Sequence, residues 1–481
     1  MATIPRSREI VSRILAEGDL CLDRPAHVGN GDIGEQVDLP IVRHPVDGRP
    51  VLRGDSVAGV LRSWLCDYEC GYFTDEGTAS TSMAVTLFGA VRGDPDGPQS
   101  VLIVDDALLG EPGLNVETRD GVVIDRETET AKDEFKFNTE FIEAGHHFHV
   151  RFELIVTADA DEEKLKSVLA LALQAFERGD IAVGARTSRG FGRCHVEGWR
   201  VQSFDMRTTQ GLLGWLQLDH TARLASAAVP TIVQFQPPIV RPDKRRWVEL
   251  EASFALCDAI LIRSDSPSLD EPSLDDPDVV HIRSMSNGQL EYVMPGTSVA
   301  GVLSARSEKI LNTVGLALSL NEGVFGSPPG TQTPTSSRLF VDETDVATDA
   351  VLPIVQARNR IEALTGGTAR GALFNEQVLL VCEEDADAVT LRCRLRQPPD
   401  DDPLKPGLLL YLLKDLWTSD LPIGGESGVG RGYLRGRKAT LRRHDGTAYT
   451  IETSDTSGTL KGDLEALESL AEPFSRAGGQ P

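Results

Sequence analysis

No apolar run in the chain approaches the roughly 18 to 20 residues that a bilayer-crossing helix needs, and Met1 to Glu9 has no apolar core of a signal peptide. A cytoplasmic protein with no membrane partner is therefore expected. Cysteine is scarce and forms no framework. The seven residues, Cys21, Cys66, Cys70, Cys194, Cys257, Cys382 and Cys393, are odd in number and scattered, which suits a reducing compartment and predicts no disulfide. Cys66 and Cys70 stand close together, but no second Cys or His pair lies at finger spacing, so no zinc is predicted. Positive charge is short as well: 48 Lys and Arg face 73 Asp and Glu, a net charge of −25. Bulk charge of that sign opposes nucleic-acid binding, because phosphate contacts need Lys and Arg. The acid is uneven, however. Ser264 to Asp278 holds six acids and no base, whereas Arg186, Arg189 and Arg193 crowd one glycine-rich loop. A basic groove on an acidic, solubility-promoting body fits both facts.

What is present is length and repetition. A chain of 481 residues with 40% hydrophobic and 25% charged residues, 45 Gly and 27 Pro is globular and loop-rich, and too long for one core. Gly54-Asp55-Ser56-Val57-Ala58-Gly59-Val60-Leu61 returns as Gly296-Thr297-Ser298-Val299-Ala300-Gly301-Val302-Leu303, identical at seven of eight positions. Glu9 pairs with Glu249, Asp38 with Asp278, Gly48 with Gly288, and Gly184 to Gly192 with Gly424 to Gly432, all at an offset of 240. Leu87-Phe88-Gly89 echoes Val324-Phe325-Gly326, and Thr130-Ala131 echoes Thr368-Ala369. The halves read as one fold used twice.

Periodicity gives the elements. Val248, Leu250, Ala252, Phe254 and Leu256 alternate with polar or small residues, as do Phe148 to Val156 and Val389 to Leu395, the pattern of strands with one buried face. Leu165, Val168, Leu169, Ala172, Leu173 and Phe176 fall at helical spacing, with acids before them and Gly179 after them; Leu409, Leu412, Leu413 and Leu416 match in the second half. The order strand, helix, insertions, strand, helix, glycine-rich loop, strand predicts an α+β fold, a ferredoxin-like (RRM-like) antiparallel sheet with helices on one face. Expected boundaries are 1–205 for the first domain, 206–245 for a proline-bearing linker, 246–453 for the second domain and 454–481 for an acidic tail with a short helix from Leu460 to Ala471.

Three signatures, each present in both halves, resemble the RAMP superfamily of CRISPR-associated proteins, specifically the backbone subunit of type III (Csm- and Cmr-like) effector complexes in a fused two-domain form. The first is Val37-Asp38-Leu39-Pro40-Ile41-Val42, followed by Arg53-Gly54-Asp55-Ser56-Val57-Ala58-Gly59-Val60-Leu61-Arg62-Ser63, where the family places an acid before a strand and then a Pro-Gly-Ser-Ser-Leu-Lys-Gly helix start. This copy has Arg53 for the Pro and Ala58 for the Lys, and the second copy restores Pro295. The second is Val123-Ile124-Asp125-Arg126-Glu127-Thr128-Glu129-Thr130-Ala131 with Phe137 and Glu140, similar to the family's thumb hairpin. Its counterpart, Arg360 to Ala369 with Phe374 and Glu376, loses the Asp-Arg pair. The third is the loop Gly184 to Arg193, mirrored by Gly424 to Tyr433.

The resemblance implies tandem RAMP domains with thumb-like hairpin insertions, crRNA, target RNA and other CRISPR effector subunits as partners, and an endoribonuclease that cuts target RNA. Asp38, and Asp278 in the second copy, are its implied catalytic and metal-holding residues, with Mg²⁺ or another divalent cation; a turn-capping role is the plain alternative for Asp38. Interleaved glycine and arginine let backbone N–H groups and guanidinium groups meet phosphates, which marks Arg186, Ser188, Arg189, Arg193, Ser427 and Arg431. A dinucleotide turn would follow a strand and open a helix, and these loops do the reverse. Ser56 and Ser298 are expected to cap helices whose first-turn N–H groups face a phosphate, and Arg62, Arg126 and Arg306 are expected near the guide. Phe191 and Tyr433 suit either base stacking or packing of the loop. His146, His147 and His149 are expected at the surface. A guide-processing nuclease without metal would need an acid and a base, usually His, and no His recurs at a repeated position.

Overall fold

The computed structural model describes residues 9–479 apart from 30, 32–33, 35–36, 75–81, 91–96, 111–115, 266–276, 287, 329–330, 384–385 and 455–458. Most of the acidic run from Ser264 to Asp278, including Asp275 and Asp276, lies outside the described residues. The chain divides into two compact units. The first comprises Met1–Thr118, Phe137–Thr187 and Phe191–Arg245; the second comprises Arg119–Lys136, Ser188–Gly190 and Arg246–Pro481.

The first unit runs β1 (Ile10–Leu22), α1 (Gly54–Cys70), β2 (Leu102–Val104), the base of a hairpin of β3 (Val116–Ile124) and β4 (Ala131–Ile142) whose residues Arg119–Lys136 belong to the second unit, β5 (His147–Thr157), α2 (Glu162–Glu177), β6 (Cys194–Asp205) and α3 (Thr209–Leu216). Its sheet has the antiparallel order β2-β5-β1-β6, which places the first and third strands of a strand-helix-strand-strand-helix-strand unit in the centre, the ferredoxin-like arrangement. Alternation drives it: Ile14, Ala16, Leu20 and Leu22 share the buried face of β1 with Phe148, Phe152 and Leu154 of β5, and this face packs on Val57, Leu61 and Leu65 of α1 and the predicted stripe of α2. Asp161 caps α2, accepting from the Lys164 N–H at 3.1 Å, and Gly179 ends it with a φ of +67°. β3 and β4 pair as a two-stranded hairpin.

Residues 206–245, expected as a linker, belong to the first unit. Thr208 caps α3, the Val229 N–H donates to the Trp199 carbonyl at 2.7 Å, Ile232 is buried in the core, and the Arg245 guanidinium lies 4.7 Å from the Trp64 ring centroid. Prolines marked the segment as non-helical, but its apolar residues still demanded burial.

The second unit runs β7 (Arg246–Leu256), α4 (Gly296–Val314), β8 (Leu339–Val341), β9 (Val351–Ile361), β10 (Thr368–Val381), β11 (Val389–Gln397), α5 (Leu404–Trp417), β12 (Leu434–Arg443), β13 (Ala448–Thr453), β14 (Leu460–Gly462) and α6 (Leu464–Gly478). Its main sheet has the order β8-β11-β7-β12-β13-β14, the same four-strand core extended by two edge strands. The expected tail therefore folds: α6 starts later and runs further than predicted, and Phe474 is buried with its ring centroid 5.2 Å from that of Tyr411 on α5. The sheets also correct one pairing. Leu22 stands opposite Cys194 and Leu256 opposite Leu434, so Glu9 and Glu249 are not equivalent positions in the two sheets.

Candidate nucleic-acid interface

The two glycine-rich loops follow α2 and α5 and open β6 and β12, as expected. Their backbones repeat one unusual path. Gly184, Arg186, Gly190 and Gly192 have φ of +82°, +59°, +88° and +70°; Gly424, Glu426, Gly430 and Gly432 have +95°, +62°, +91° and +78°. Glycine at 192 and 432 is compulsory, because a Cβ would lie 1.8 Å from the Val183 carbonyl oxygen and 2.1 Å from that of Ile423. Arg186 and Glu426 hold the left-handed conformation with a side chain, a strain of about 1–3 kcal/mol each that the surrounding contacts must offset.

Each loop is stitched to the segment that follows the first strand of its unit. Ala185 N–H donates to the His27 carbonyl at 2.8 Å and Gly192 N–H to the Pro25 carbonyl at 2.7 Å; Gly425 N–H donates to Leu261 at 2.8 Å and Gly432 N–H to Ala259 at 2.7 Å. That segment reaches the hairpin in turn. Ala26 and Ile142 exchange backbone bonds at 2.9 and 2.8 Å, and Ala259 and Ile260 pair with Leu380 and Leu379.

The hairpins carry the expected aspartates' partners. Asp38 is exposed, its N–H donates to Asn138 Oδ1 at 2.7 Å, and its Oδ2 accepts the Asn138 N–H at 2.8 Å. Asp278 is exposed too, and its Oδ2 accepts the Asn375 N–H at 2.8 Å. The contact of Oδ2 with an asparagine N–H thus occurs in both units, while the Asp278 N–H donates to the Asn375 backbone carbonyl at 2.8 Å rather than to its side chain. Asn138 and Asn375 escaped the sequence reading although each follows a phenylalanine, Phe137 and Phe374, at an offset of 237. That offset pairs Thr139, not Glu140, with Glu376, and both Thr139 and Glu376 are buried.

The arginines divide. The Arg186 guanidinium sits 5.1 Å from the Phe137 ring centroid, beside the Asp38–Asn138 clamp, and Arg193 is exposed. Arg189, in the segment Ser188–Gly190 that belongs to the second unit, instead donates to Ser337 Oγ at 3.1 Å and to the Leu339 and Phe325 carbonyls at 3.3 Å. Arg126 donates to the Gly301 carbonyl and Ser304 Oγ at 3.2 Å, Arg306 to Asp415 at 2.6 Å, and Arg62 to the Phe88 carbonyl at 3.4 Å. Arg431 is buried, donating to Glu376 at 3.0 Å, to Gln356 at 2.7 Å and to Glu426. Arg431 stands where the first unit has Phe191, which is itself buried and stacked on Phe141 at 4.3 Å between centroids. An apolar pair in one loop is thus an ion-paired cluster in the other, with Arg263 joining Glu376 at 3.0 Å and Glu426 at 3.1 Å. The Ser427 carbonyl accepts from the Tyr433 hydroxyl at 3.4 Å.

The serine caps are not formed. Ser56 and Ser298 are the third residues of α1 and α4, whose cap positions are Arg53 and Pro295, with no side-chain cap on either helix. Gly54 N–H donates to Asp106 Oδ1 at 2.7 Å, so a carboxylate of the protein holds the place expected for a phosphate. Gly54 and Gly296 are required for packing: a Cβ would lie 2.2 Å from the Val104 oxygen and 2.3 Å from the Val341 oxygen.

Residues 22–195 match the family model of the RAMP superfamily. No curated protein matches the chain. The match spans the Asp38 clamp, the hairpin and the first glycine-rich loop, so the chain is similar to that superfamily over this stretch, within an α+β fold with antiparallel sheets. Among the described residues, no helix is long and apolar enough to cross a membrane.

Proposed function

We propose that the chain is a crRNA-binding backbone subunit of a type III CRISPR effector complex, built of two tandem RAMP domains with thumb-like hairpins, and that it cleaves target RNA at Asp38 and Asp278 with the help of a divalent metal. The observation that carries this reading is the repeated clamp, in which an exposed aspartate is fixed at 2.8 Å to the first residue after a hairpin phenylalanine in each unit. Fixing one carboxylate oxygen on a backbone N–H orients the side chain, and among the described residues Oδ1 of each aspartate has no hydrogen-bond partner. Mg²⁺ is commonly held by one or two carboxylates together with substrate phosphates and water, so a single exposed carboxylate per site fits it. Such an ion would supply Lewis-acid stabilisation of charge developing on the scissile phosphate. Asp38 and Asp278 would hold it, and Arg186 and Arg193 would place the RNA backbone nearby through contacts indifferent to base identity.

A second reading, a scaffold that binds RNA while another subunit cuts, draws on the same contacts. Asp38 and Asp278 each already hold the hairpin backbone by accepting an Asn N–H at 2.8 Å, a contact that a purely structural role also explains. Replacing Asp38, Asp278 or both by Ala in a reconstituted complex separates the two. Each single variant is expected to remove one class of target-RNA product and the double variant to remove both, with guide binding retained. An unchanged product ladder in the double variant establishes the scaffold instead.

A further inference from the structure

Three neighbouring strands of the first unit end in a row of metal-ligating side chains. Cys21 of β1 lies directly opposite His147 of β5 on one side and His195 of β6 on the other, so the three side chains leave the same face of the sheet. Asp23 follows Cys21 by two positions, just beyond the end of β1. Its Oδ1 is 2.8 Å from His195 Nδ1, and Cys21 Sγ is 3.9 Å from His147 Nε2. The ligand atoms of Cys21, Asp23 and His195 all lie within 4.8 Å of one another. Leu20 and Leu22, which flank Cys21, are buried in the core, so the row occupies the face of the sheet away from α1 and α2.

We propose that Cys21, Asp23, His147 and His195 form a zinc site. One thiolate, two imidazoles and one carboxylate are the ligand types of tetrahedral Zn²⁺. Zinc–ligand bonds of about 2.0–2.3 Å place tetrahedral ligand atoms about 3.3–3.6 Å apart. The His195–Asp23 contact must therefore open by about half an ångström and the Cys21–His147 contact close by less, while the His147 ring, which lies outside the group of three, must also swing toward Asp23 and His195 to become the fourth ligand. Burial and the nearby Asp23 and Glu197 carboxylates push the Cys21 thiol up; binding of a dication releases its proton and reverses that repulsion.

The fold does not demand this set. In the second unit the sheet register puts Ala255 in the place of Cys21 and Arg435 in that of His195, with Ala388 and Cys257 where the first unit has His147 and Asp23. The same backbone is thus built without ligands. The site would tie Asp23 to the start of β6, whose Arg193 carbonyl already accepts the Asp23 N–H at 2.8 Å, and so brace the segment that stitches the first glycine-rich loop. The proposal does not depend on the RNA-binding reading, since none of the four ligands belongs to the Asp38 clamp or to the glycine-rich loop.

The test uses the full chain. Metal analysis of protein purified without chelator is expected to find about one zinc per chain, and cobalt(II) added after zinc removal is expected to give a thiolate-to-cobalt charge-transfer band and the intense visible bands of a tetrahedral site. Cys21→Ser and His195→Ala are each expected to weaken zinc binding by at least about tenfold and to abolish the charge-transfer band, with far-ultraviolet circular dichroism unchanged. Cys257→Ser is expected to change neither. Because Cys21 and His195 lie on strands, Asp23→Asn and His147→Ala, at strand ends, provide variants with less burden on folding. Zinc binding by the wild type no tighter than by these variants, or a cobalt spectrum without the thiolate band, overturns the proposal.

Discussion

His281 makes acid the most informative perturbation of the second unit. Its ring is fully buried; Nδ1 accepts the Ile262 N–H at 3.1 Å and the Nε2 proton is donated to the Val293 carbonyl at 3.0 Å. This is the hydrogen-bond set of a neutral imidazole. Burial pushes its pKa down from 6.5 to about 4, against the pull of the neighbouring carbonyls of Val293 and Ile260. The folded value lies below the unfolded one, so the unfolded chain takes the proton first. Stability is then lost as pH falls from 6.5 to about 4 and levels off below. At about 1.4 kcal/mol per pH unit, that interval is worth about 3 kcal/mol, or roughly 6–12 °C in the unfolding temperature of a unit of this size. Scanning calorimetry of the full chain and of His281→Gln, which cannot titrate, isolates the contribution of this imidazole. The variant is expected to be less stable by about 1–3 kcal/mol near neutrality, because Gln satisfies the two backbone partners less well. The gap between the two proteins is expected to close or invert as pH falls through the window. A gap that stays constant refutes the reasoning.

In the first unit, Glu17 is fully buried and accepts from His149 at 3.2 Å, Arg151 at 2.8 Å and the Leu224 N–H at 2.6 Å. Burial works to raise its carboxyl, but these hydrogen bonds outweigh it and hold it down at about 2 against an ordinary 4.5. Its contribution is therefore complete above pH 4.5 and is lost as pH falls to about 2, and Glu17→Gln, which leaves the buried Arg151 charge with carbonyl partners but no carboxylate, is expected to cost about 3–5 kcal/mol by chemical denaturation near neutrality; equal stability of variant and wild type removes that pair from the account. Gly54→Ala places a Cβ 2.2 Å from the Val104 oxygen, a backbone atom that cannot swing aside. A loss of at least about 1–3 kcal/mol is expected in the same assay, and a neutral result would mean that the helix start is free to shift.

The sheet was largely legible from the residues, and the polar machinery was not. Alternation from Val248 to Leu256 and from Phe148 to Val156 reports burial directly, and the strands β7 and β5 follow it within a residue or two. The helical stripe of α2 did the same. Residues 206–245 were misread because proline density signals irregular backbone, whereas Leu224 and Ile232 decide whether such backbone packs. Arginine placement is harder still. Arg186, Arg189 and Arg193 share one loop, yet a guanidinium at the end of a flexible chain finds whichever acceptors the tertiary structure offers, and for Arg189 these are the Leu339 and Phe325 carbonyls. Arg431 found Glu376, invisible without the register of the hairpin. Cys21 and His195, far apart in sequence, meet only because β1 and β6 are neighbours. The Asp38 and Asp278 clamps could have been read, since the Phe-Asn pairs recur in both halves.

Purification of the chain after expression with a repeat–spacer array, followed by sequencing of the RNA bound to it, decides whether the protein holds a guide. The account predicts bound RNA of array sequence, released by high salt as phosphate contacts require, and its loss when Arg186 and Arg193 are replaced by Glu. Protein free of RNA, or RNA with no array sequence, contradicts it.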